Sequence, residues 1–230
     1  MRIGIIGSSG GAALASAVKC LRQAGKRADF FILVDRDCGM LRWAGEEKFS
    51  TYKAPYTDAN AFSSNALNIF RQNGIEQILL FYTRRVCRPL IGGLPVFNIH
   101  PALLPAFRGL HGVEDALKAG VRILGASLHG VDDGLDTGPI VAQVATGLPV
   151  SVSPILANKI SFLQKVYLTL VWYELIHNFG VAIDLDSRTV TYDRVPPVGL
   201  TMSPSIEDSA LADAFNGLQE EENCRVVAAC

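Results

Sequence analysis

The sequence has no CxxC pair, no long basic tract and no apolar run long enough to cross a bilayer. Its five cysteines are scattered along 230 residues, which argues against a disulfide framework or a structural zinc site and predicts reduced thiols. A net charge of -1 leaves no electrostatic footprint for nucleic acid. The most apolar late stretch, 166–176, is too short to span a membrane and contains Glu174. We therefore expect a soluble cytoplasmic protein with no membrane or nucleic-acid partner.

The apolar segments that are present are short, and the first ones alternate with helical patterns. An apolar run at 2–6 leads into Gly7-Ser8-Ser9-Gly10-Gly11, and an alanine-rich helical stretch follows at 12–24. Strand, glycine turn and helix in this order form the opening unit of a doubly wound sheet. Further strands are predicted at 29–34, 78–82, 94–100, 122–131 and 140–145, and further helices at 58–72 and 112–119. This alternation predicts an α/β protein with a doubly wound, mostly parallel sheet.

The C-terminal part follows a different pattern. Its predicted elements are a long helix at 153–178, a hairpin at 182–186 and 189–193, and a short amphipathic helix at 210–218 followed by an acidic, mobile segment at 219–223. We therefore divide the chain into one domain at 1–180 and an appendage of hairpin and partly mobile tail at 181–230.

Two loops of this arrangement are candidates for binding anions. The glycine turn offers free N–H groups and the positive end of a helix dipole, so Gly10 and Gly11 are candidate substrate contacts. Its spacing is not GxGxxG, and a purely structural tight turn is the alternative. Arg84, Arg85 and Arg88 follow the third predicted strand, at the sheet edge where ligands collect in open α/β folds. They are placed to attract an anionic ligand, and a solvated loop is the alternative.

Asn98 and His100 close the fourth predicted strand, and Pro101 follows them. Alternate residues of an extended segment share a face, and a proline holds the residue before it in extended geometry. An amide donor and an imidazole therefore point the same way; a solvated strand end is the alternative. Downstream, the loop at 132–140 contains two glycines and three acids, and a tight turn does not require the third acid, Asp136.

Two parts of the chain resemble known sequence blocks. Residues 98–109 read Asn-Ile-His-Pro-Ala-Leu-Leu-Pro-Ala-Phe-Arg-Gly and resemble the N-I-H-P-S-L-L-P signature of the folate-dependent formyltransferases. Residues 125–129 and 133–143 resemble the second block of the same family, in the same order and at matching spacing. The resemblance covers roughly the first three-quarters of the chain and is closest to the branch that acts on glycinamide ribonucleotide. It implies a Rossmann-like formyltransferase fold and an enzyme that uses 10-formyltetrahydrofolate as its donor.

The resemblance also implies roles for individual residues. It implies a catalytic trio of Asn98, His100 and Asp136, in which aimed donors stabilise an oxyanion and Asp136 raises the proton affinity of His100. A metal site that includes His129 is disfavoured because no ligand pair has zinc-type spacing, so no metal is predicted. The implied folate contacts are Arg85, Val86 and Cys87 at the pterin and Val131, Asp132 and Asp133 in a folate-binding loop. The acceptor contacts are assigned to Gly10, Gly11 and Pro101.

The departures from the family pattern concern the acceptor. The family's phosphate-binding turn, S-G-x-G-S-N, reads Ser8-Ser9-Gly10-Gly11-Ala12-Ala13 here, so its Ser-Asn side chains are absent. The family's Glu-His step on the last long helix falls on Leu163-Gln164, which removes a carboxylate from a bound ribose. We therefore expect the acceptor to be the primary amine of another small molecule, such as an amino sugar or an amino acid.

Several alternatives remain for the function. The first is a phosphoribosylglycinamide formyltransferase of purine biosynthesis, and another is a formyltetrahydrofolate hydrolase. An alternative of a different class is a non-catalytic folate- or nucleotide-binding module, against which the catalytic trio argues. Formylation of methionyl-tRNA is disfavoured because the chain lacks basic charge. A homodimer is left open.

Overall fold

The computed structural model describes residues 2–199 and 201–227 and is built around an eight-stranded sheet. The strands are β1 (Ile3–Gly7), β2 (Phe30–Val34), β3 (Ser50–Lys53), β4 (Gln77–Phe81), β5 (Val96–His100), β6 (Ile123–Gly130), β7 (Ile140–Gly147), β8 (Ala182–Asp184), β9 (Thr189–Thr191) and β10 (Met202–Ser203). The helices are α1 (Ala12–Gln23), α2 (Gly39–Glu46), α3 (Ala59–Gln72), α4 (Leu90–Gly93), α5 (Gly112–Lys118), α6 (Pro154–Asn178) and α7 (Ser209–Val227).

Five parallel strands form one part of the sheet, and antiparallel strands extend it. The strand order is β10-β7-β6-β5-β4-β1-β2-β3, with β6, β7 and β10 antiparallel to their neighbours. β1 and β2 are buried along their whole length, as parallel strands covered by helices on both faces are. The predicted doubly wound, mostly parallel α/β sheet is confirmed. The carboxyl ends of β1, β4 and β5 meet at one edge, which is where ligands bind in such folds.

α6 is the central helix of the core. It is buried on all sides over most of its length, because it lies on β6 and β7 and is covered by α1 and α7. Trp172 is fully buried and meets the Phe97 ring of β5 edge-on, with ring centroids 6.1 Å apart. Ser153 caps the helix by accepting a hydrogen bond from the Leu156 N–H. Within residues 2–199 and 201–227, none of the helices has both the length and the apolar character needed to cross a membrane.

The sequence patterns did not predict α2, α4, β3 and β10. β3 is exposed at all four positions because it forms one edge of the sheet, so no apolar run marks it. The tail helix is longer than predicted: α7 continues through 219–223 because its apolar stripe packs on α1 and α6. The stripe consists of Leu211, Phe215 and Leu218. The domain boundary at residue 180 stays a prediction, and Cys230 lies outside the described residues.

The predicted hairpin is formed by β8 and β9 and lies beside the main sheet. Ile183 approaches Gly130 so closely that a Cβ at the glycine would lie 2.8 Å from the isoleucine Cδ1. The Tyr192 hydroxyl donates to the Val141 carbonyl at 3.0 Å. The hairpin therefore packs against the two ends of the loop that joins β6 to β7, which carries the predicted acidic residues.

Candidate active site

Four polar side chains share one face of the sheet at the carboxyl end of β5. Asn98 and His100 are two residues apart on β5, and in the antiparallel pairing with β6 they lie opposite His129 and Ser127. Residues opposite each other in a sheet have side chains on the same face. The sequence block 125–129 therefore supplies the second half of one polar cluster, through His129 and Ser127.

Ser127 holds the segment that follows His100. Its hydroxyl donates to the Ala102 carbonyl at 2.8 Å and accepts from the Leu104 N–H at 2.9 Å. Gln143 Nε2 also donates to this hydroxyl at 2.8 Å. Because one donor and two acceptor positions are all used in a buried place, the backbone after β5 is held firmly.

Asp136 reaches the two histidines from the loop between β6 and β7. Its Oδ2 lies 3.3 Å from His100 Nδ1, and its Oδ1 lies 3.5 Å from His129 Nε2. The Gly109 N–H donates to Oδ2 at 2.9 Å. The Asp136 backbone has φ 51°, in the left-handed region that is sparsely populated by residues with a side chain. These contacts hold the carboxylate in that conformation.

The loop that carries Asp136 needs both of its glycines. A Cβ at Gly138 would collide with a backbone carbonyl of β6, and a Cβ at Gly134 would collide with the Thr137 side chain. Asp132 folds the loop by accepting from the Thr137 hydroxyl at 2.7 Å and from the Gly134 N–H at 3.1 Å. The turn thus uses Asp132 for its own structure, and Asp136 is the acid that reaches the polar cluster.

Backbone carbonyls set the proton positions on both histidine rings. His100 Nε2 lies 2.7 Å from the Phe107 carbonyl, and His129 Nδ1 lies 2.7 Å from the carbonyl of the next residue, so these nitrogens are assigned the protons. In the neutral ring, His100 Nδ1 then faces Asp136 with a lone pair. His129 Nε2 accepts from the Asn98 amide at 3.3 Å, or donates to Asp136 once protonated. The four side chains form one connected set of polar contacts.

The two central groups have shifted pKa values. Burial lowers the pKa of His100 below its ordinary value, although the Phe107 carbonyl and the Asp136 charge act in the opposite direction. For Asp136, burial acts to raise the pKa, but the hydrogen bonds that the carboxylate accepts from the His129 ring and from the Gly109 N–H outweigh it and hold the pKa below its ordinary value. The resting site therefore pairs an ionised Asp136 with a neutral His100. The Asp136 charge raises the pKa of His100, as predicted, but burial lowers that pKa by more.

No group of three or more His, Cys, Asp or Glu side chains in residues 2–199 and 201–227 has the arrangement of a metal site. The cluster is instead a hydrogen-bonded set that can donate to a developing negative charge and exchange a proton.

A cavity of about 440 Å³ lies beside the cluster. Its walls come from the glycine turn before α1, from residues 110–114 and from one face of α6. Gly10, Gly11 and Pro101, the three predicted acceptor contacts, all line it. Gly11 is the N-cap of α1 with φ 75° and no side-chain cap, so backbone N–H groups of the first turn are left for a ligand.

A short segment separates His100 from this cavity. Gly112 lines the cavity, and a Cβ at Gly112 would lie 3.1 Å from His100 Nε2. The His100 residue is only 3% exposed, because the backbone from Phe107 to Gly112 covers its ring. Substrate can therefore reach Nε2 only where this segment gives up the Phe107 contact.

The face of α6 that lines the cavity differs from the one proposed from the sequence. Leu163 and Gln164 do not line it; Gln164 is buried and donates to the Leu124 carbonyl at 2.9 Å. The lining residues of α6 are Asn158, Ser161, Phe162 and Lys165. Their spacing of three, four and seven residues places them on one helical face. Polar residues at that spacing in an otherwise apolar helix were the sequence signal for a cavity-lining face. Lys165 was missed by sequence reasoning.

The predicted folate contacts form one region beside the cluster. Arg85 Nη2 donates to the Asp133 carbonyl at 2.9 Å, and Arg88 Nε lies 3.0 Å from the Asp133 carboxylate. These bonds join the two predicted folate segments. Val86 is buried, and Val131 packs against the same apolar cluster, so both linked segments are anchored on one part of the core.

The remaining members of this region make structural bonds. The Cys87 N–H donates to Ser63 Oγ at 2.9 Å. Arg84 Nε lies 3.2 Å from Asp35, and its guanidinium stands 4.8 Å from the centre of the Tyr56 ring. The three arginines predicted to attract an anion therefore all have partners within the protein.

The sequence is similar to those of known formyl transferases. A family model described as formyl transferase matches residues 1–153. Phosphoribosylglycinamide formyltransferase of Bacillus subtilis (strain 168) is 42% identical over 93 residues, which are 39% of this chain and 48% of that protein. Formyltetrahydrofolate deformylase 2, mitochondrial, of Arabidopsis thaliana is 32% identical over 111 residues, which are 46% of this chain and 32% of that protein. The matches thus span less than half the length of these relatives.

A solved structure has the same fold over nearly its whole length. Glycinamide ribonucleotide transformylase 1 from Symbiobacterium toebii superposes with a TM-score of 0.74 at 26% identity, covering 84% of this chain and 93% of that one. The family model spans the glycine turn, the Asn98–His100 strand end and the Asp136 loop. The chain therefore belongs to the formyl transferase family.

Proposed function

We propose that the chain transfers the formyl group of 10-formyltetrahydrofolate to the primary amine of a small molecule. The observation that carries this proposal is the connected set of Asn98, His129, Asp136 and His100 beside a cavity of about 440 Å³. Acyl transfer of this kind needs donors aimed at an oxyanion and a group that takes up a proton from the attacking amine.

The proposed chemistry assigns a task to each side chain. The amine attacks the formyl carbon, a C–N bond forms, and the carbonyl oxygen becomes an oxyanion. The Asn98 amide and the Nε2–H of His100 donate to this oxyanion. Nε2 carries its proton in the neutral ring, so the lowered pKa of His100 is compatible with donation. The oxyanion takes the place of the Phe107 carbonyl as acceptor.

Proton transfer completes the reaction. The proton that leaves the amine travels through water to the Asp136–His100 pair, where His100 Nδ1 takes it up and the adjacent Asp136 carboxylate stabilises the resulting imidazolium. The same proton is passed to the leaving nitrogen of the folate as the old C–N bond breaks, which yields a formamide and tetrahydrofolate. Acid–base help of this kind accelerates reactions by about 10²–10⁴-fold.

The folate donor fits the region formed by the two linked segments. Val86 and Val131 supply an apolar wall for a flat ring, and backbone groups of Arg85, Cys87, Asp132 and Asp133 are the proposed partners for the ring's donors and acceptors. The bonds from Arg85 and Arg88 to Asp133 hold the two sides of this region together.

The comparisons favour glycinamide ribonucleotide as the acceptor over the amino sugar or amino acid expected from the sequence. Both the Bacillus subtilis relative and the Symbiobacterium toebii structure are named for that substrate. A different amine is the second candidate, because Ala12 and Ala13 line the cavity where the family carries Ser-Asn and because a lysine, Lys165, faces it from α6. Backbone N–H groups of Gly11, Ala12 and Ala13 are available to an anion in either case.

The test is absorbance-monitored turnover of the donor analogue 10-formyl-5,8-dideazafolate. Turnover with glycinamide ribonucleotide supports the first candidate, and turnover only with members of an amino-sugar and amino-acid panel supports the second. Consumption of the donor without any amine indicates hydrolysis. Donor binding without turnover under all conditions contradicts the proposal and favours a binding module. A homodimer stays a prediction, which sedimentation velocity can test.

A further inference from the structure

Lys165 is a cation inside an otherwise weakly charged cavity. It lies in the middle of α6 and lines the cavity together with Asn158, Ser161 and Phe162, and the glycine turn lines the same cavity. The other titratable lining residues are His111 and Glu114, which are exposed and lie 3.7 Å apart. These two side chains therefore pair with each other.

The Lys165 ammonium group has no carboxylate partner in the part of the chain that the structure describes. Burial lowers the pKa of Lys165, and no charged neighbour offsets that effect. A partly buried lysine without a counter-ion is unfavourable unless another anion compensates it. Lys159, on the same helix, also has a buried Nζ without a hydrogen-bond partner in the described residues, but it does not line the cavity.

We propose that Lys165 binds an anionic group of the acceptor, a carboxylate or a phosphate, and thereby selects acceptors that carry one. This inference rests on the proposed function, because it names the chemistry of the amine that the site accepts. Lys165 and the backbone N–H groups at the start of α1 line the same cavity, so one anion between them meets a positive charge and a positive helix end.

The inferred contact also links acceptor binding to the catalytic histidine. The groups that act on the pKa of His100 are Asp136, His129, the Phe107 carbonyl and Lys165, and the Lys165 charge lowers it. An anion bound at Lys165 offsets that charge. An anionic acceptor therefore makes His100 a better proton acceptor at the moment when the amine is in place, whereas a neutral acceptor does not.

The experiment compares matched acceptors on matched variants. Glycinamide ribonucleotide is paired with its dephosphorylated ribonucleoside, and each panel amino acid is paired with its amide, so that the phosphate and carboxylate arms are separate. Lys165→Met removes the charge with little change in length, and Lys165→Arg retains it. Lys159→Met, on the same helix but outside the cavity lining, is the control for loss of a lysine.

In the acceptor pair that the wild-type enzyme formylates, we expect Lys165→Met to weaken binding of the anionic member by about tenfold or more, since a bond to a charged group is lost. Binding of the neutral member should be unaffected, Lys165→Arg should lose less affinity for the anionic member, and Lys159→Met should not change the preference. In the pH profile of kcat/KM, Lys165→Met should move the His100 limb to higher pH. Equal losses for both members of each pair, or an unchanged preference, would overturn the inference.

Calorimetric titration separates this inference from the proposed function. If glycinamide ribonucleotide binds to wild type but weakly to Lys165→Met, and no formyl transfer occurs, the anion contact stands and the enzymatic proposal fails. If formyl transfer proceeds to amines and Lys165→Met keeps the wild-type preference in both arms, the enzymatic proposal stands and the anion contact fails.

Discussion

Asn98 and His129 face each other across the β5–β6 pairing, with Asn98 Nδ2 3.3 Å from His129 Nε2. His129 in turn lies 3.5 Å from Asp136. The histidine therefore stands between the proposed oxyanion donor and the proposed proton-handling carboxylate. It touches neither substrate in the proposed chemistry, so we treat it as a positioning residue.

We expect His129→Ala to lower kcat by about 10²-fold while leaving the KM for the folate donor nearly unchanged. Loss of the ring frees the Asn98 amide and removes a hydrogen bond that lowers the Asp136 pKa, and small displacements of reacting groups have effects of this size. Steady-state kinetics and the pH profile measure the effect. Rescue by His129→Gln, whose amide can still accept from Asn98, would distinguish positioning from loss of packing.

Asp136→Asn should lower turnover by about 10²–10⁴-fold without unfolding the protein. A neutral amide cannot stabilise the imidazolium of His100. If its NH2 group took the place of the oxygen that now accepts from the Gly109 N–H, two donors would face each other. Circular dichroism checks the fold and single-turnover kinetics checks the rate. Asp115→Asn, on the exposed surface of α5, is the matched control. Activity of Asp136→Asn within a few-fold of wild type would rule out its proposed role.

The stability of the protein should decrease between neutral and mildly acidic pH, partly because of His100. Its pKa is lowered in the folded state by burial, whereas the unfolded chain has the ordinary value of about 6.5. A group with a lowered folded pKa contributes stability that is present above the unfolded value and lost as pH falls through the folded value. Urea unfolding from pH 7.5 to pH 5 measures this loss.

The contribution of His100 can be separated from that of His177, whose pKa burial also lowers. His100→Gln should show a smaller loss of stability over the same pH range than wild type. In the same range, wild-type kcat/KM should fall as His100 becomes protonated and can no longer take up a proton. A pH profile that is flat to pH 5 would contradict the base role of His100.

Arg188 of the hairpin should affect catalysis more than stability. Its guanidinium donates to the Thr137 carbonyl and lies 3.6 Å from Asp132, so it holds the loop that carries Asp136. Because its side chain is 58% exposed, we expect little change in Tm. Arg188→Ala should lower kcat/KM by about tenfold through the freed loop.

The matched control for Arg188 is Arg194→Ala. Arg194 has a side chain of similar exposure, 55%, and pairs with Glu207, away from the acidic loop. Differential scanning fluorimetry and steady-state kinetics on both variants separate the two effects. Equal kinetic losses in both variants would show that the hairpin acts only through general stability.

Sequence periodicity predicted most of the fold because the buried strands and helices are strongly patterned. β1 and β2 are continuous apolar runs, and α1 follows a glycine turn. The edge strand β3 and the two-residue strand β10 carry no such signal, since edge strands need not bury either face. The extension of α7 beyond residue 218 was missed because residues 219–223 are polar, while packing on α1 holds the earlier turns.

The candidate site was only half visible in the sequence for a related reason. Asn98 and His100 are two residues apart, so the alternation of a strand alone places them on one face. His129 and Lys165 belong to the same region through strand pairing and helix packing, which are contacts between residues far apart in the chain. Leu163 was placed in the acceptor pocket by sequence alignment, and the helix rotation in the structure turns Lys165 to the cavity instead.

The amino-acid sequence by itself determined the order of strands and helices, the Asn98–His100 pair and the acidic loop, because local periodicity and short-range geometry encode them. Only the tertiary structure decided the cross-strand position of His129, the neutral state of a buried His100 and the cavity-facing side of α6. Burial and the approach of distant segments determine the charge state of His100 and which side chains line the cavity. Both are properties of the packed chain, and no short stretch of sequence contains them.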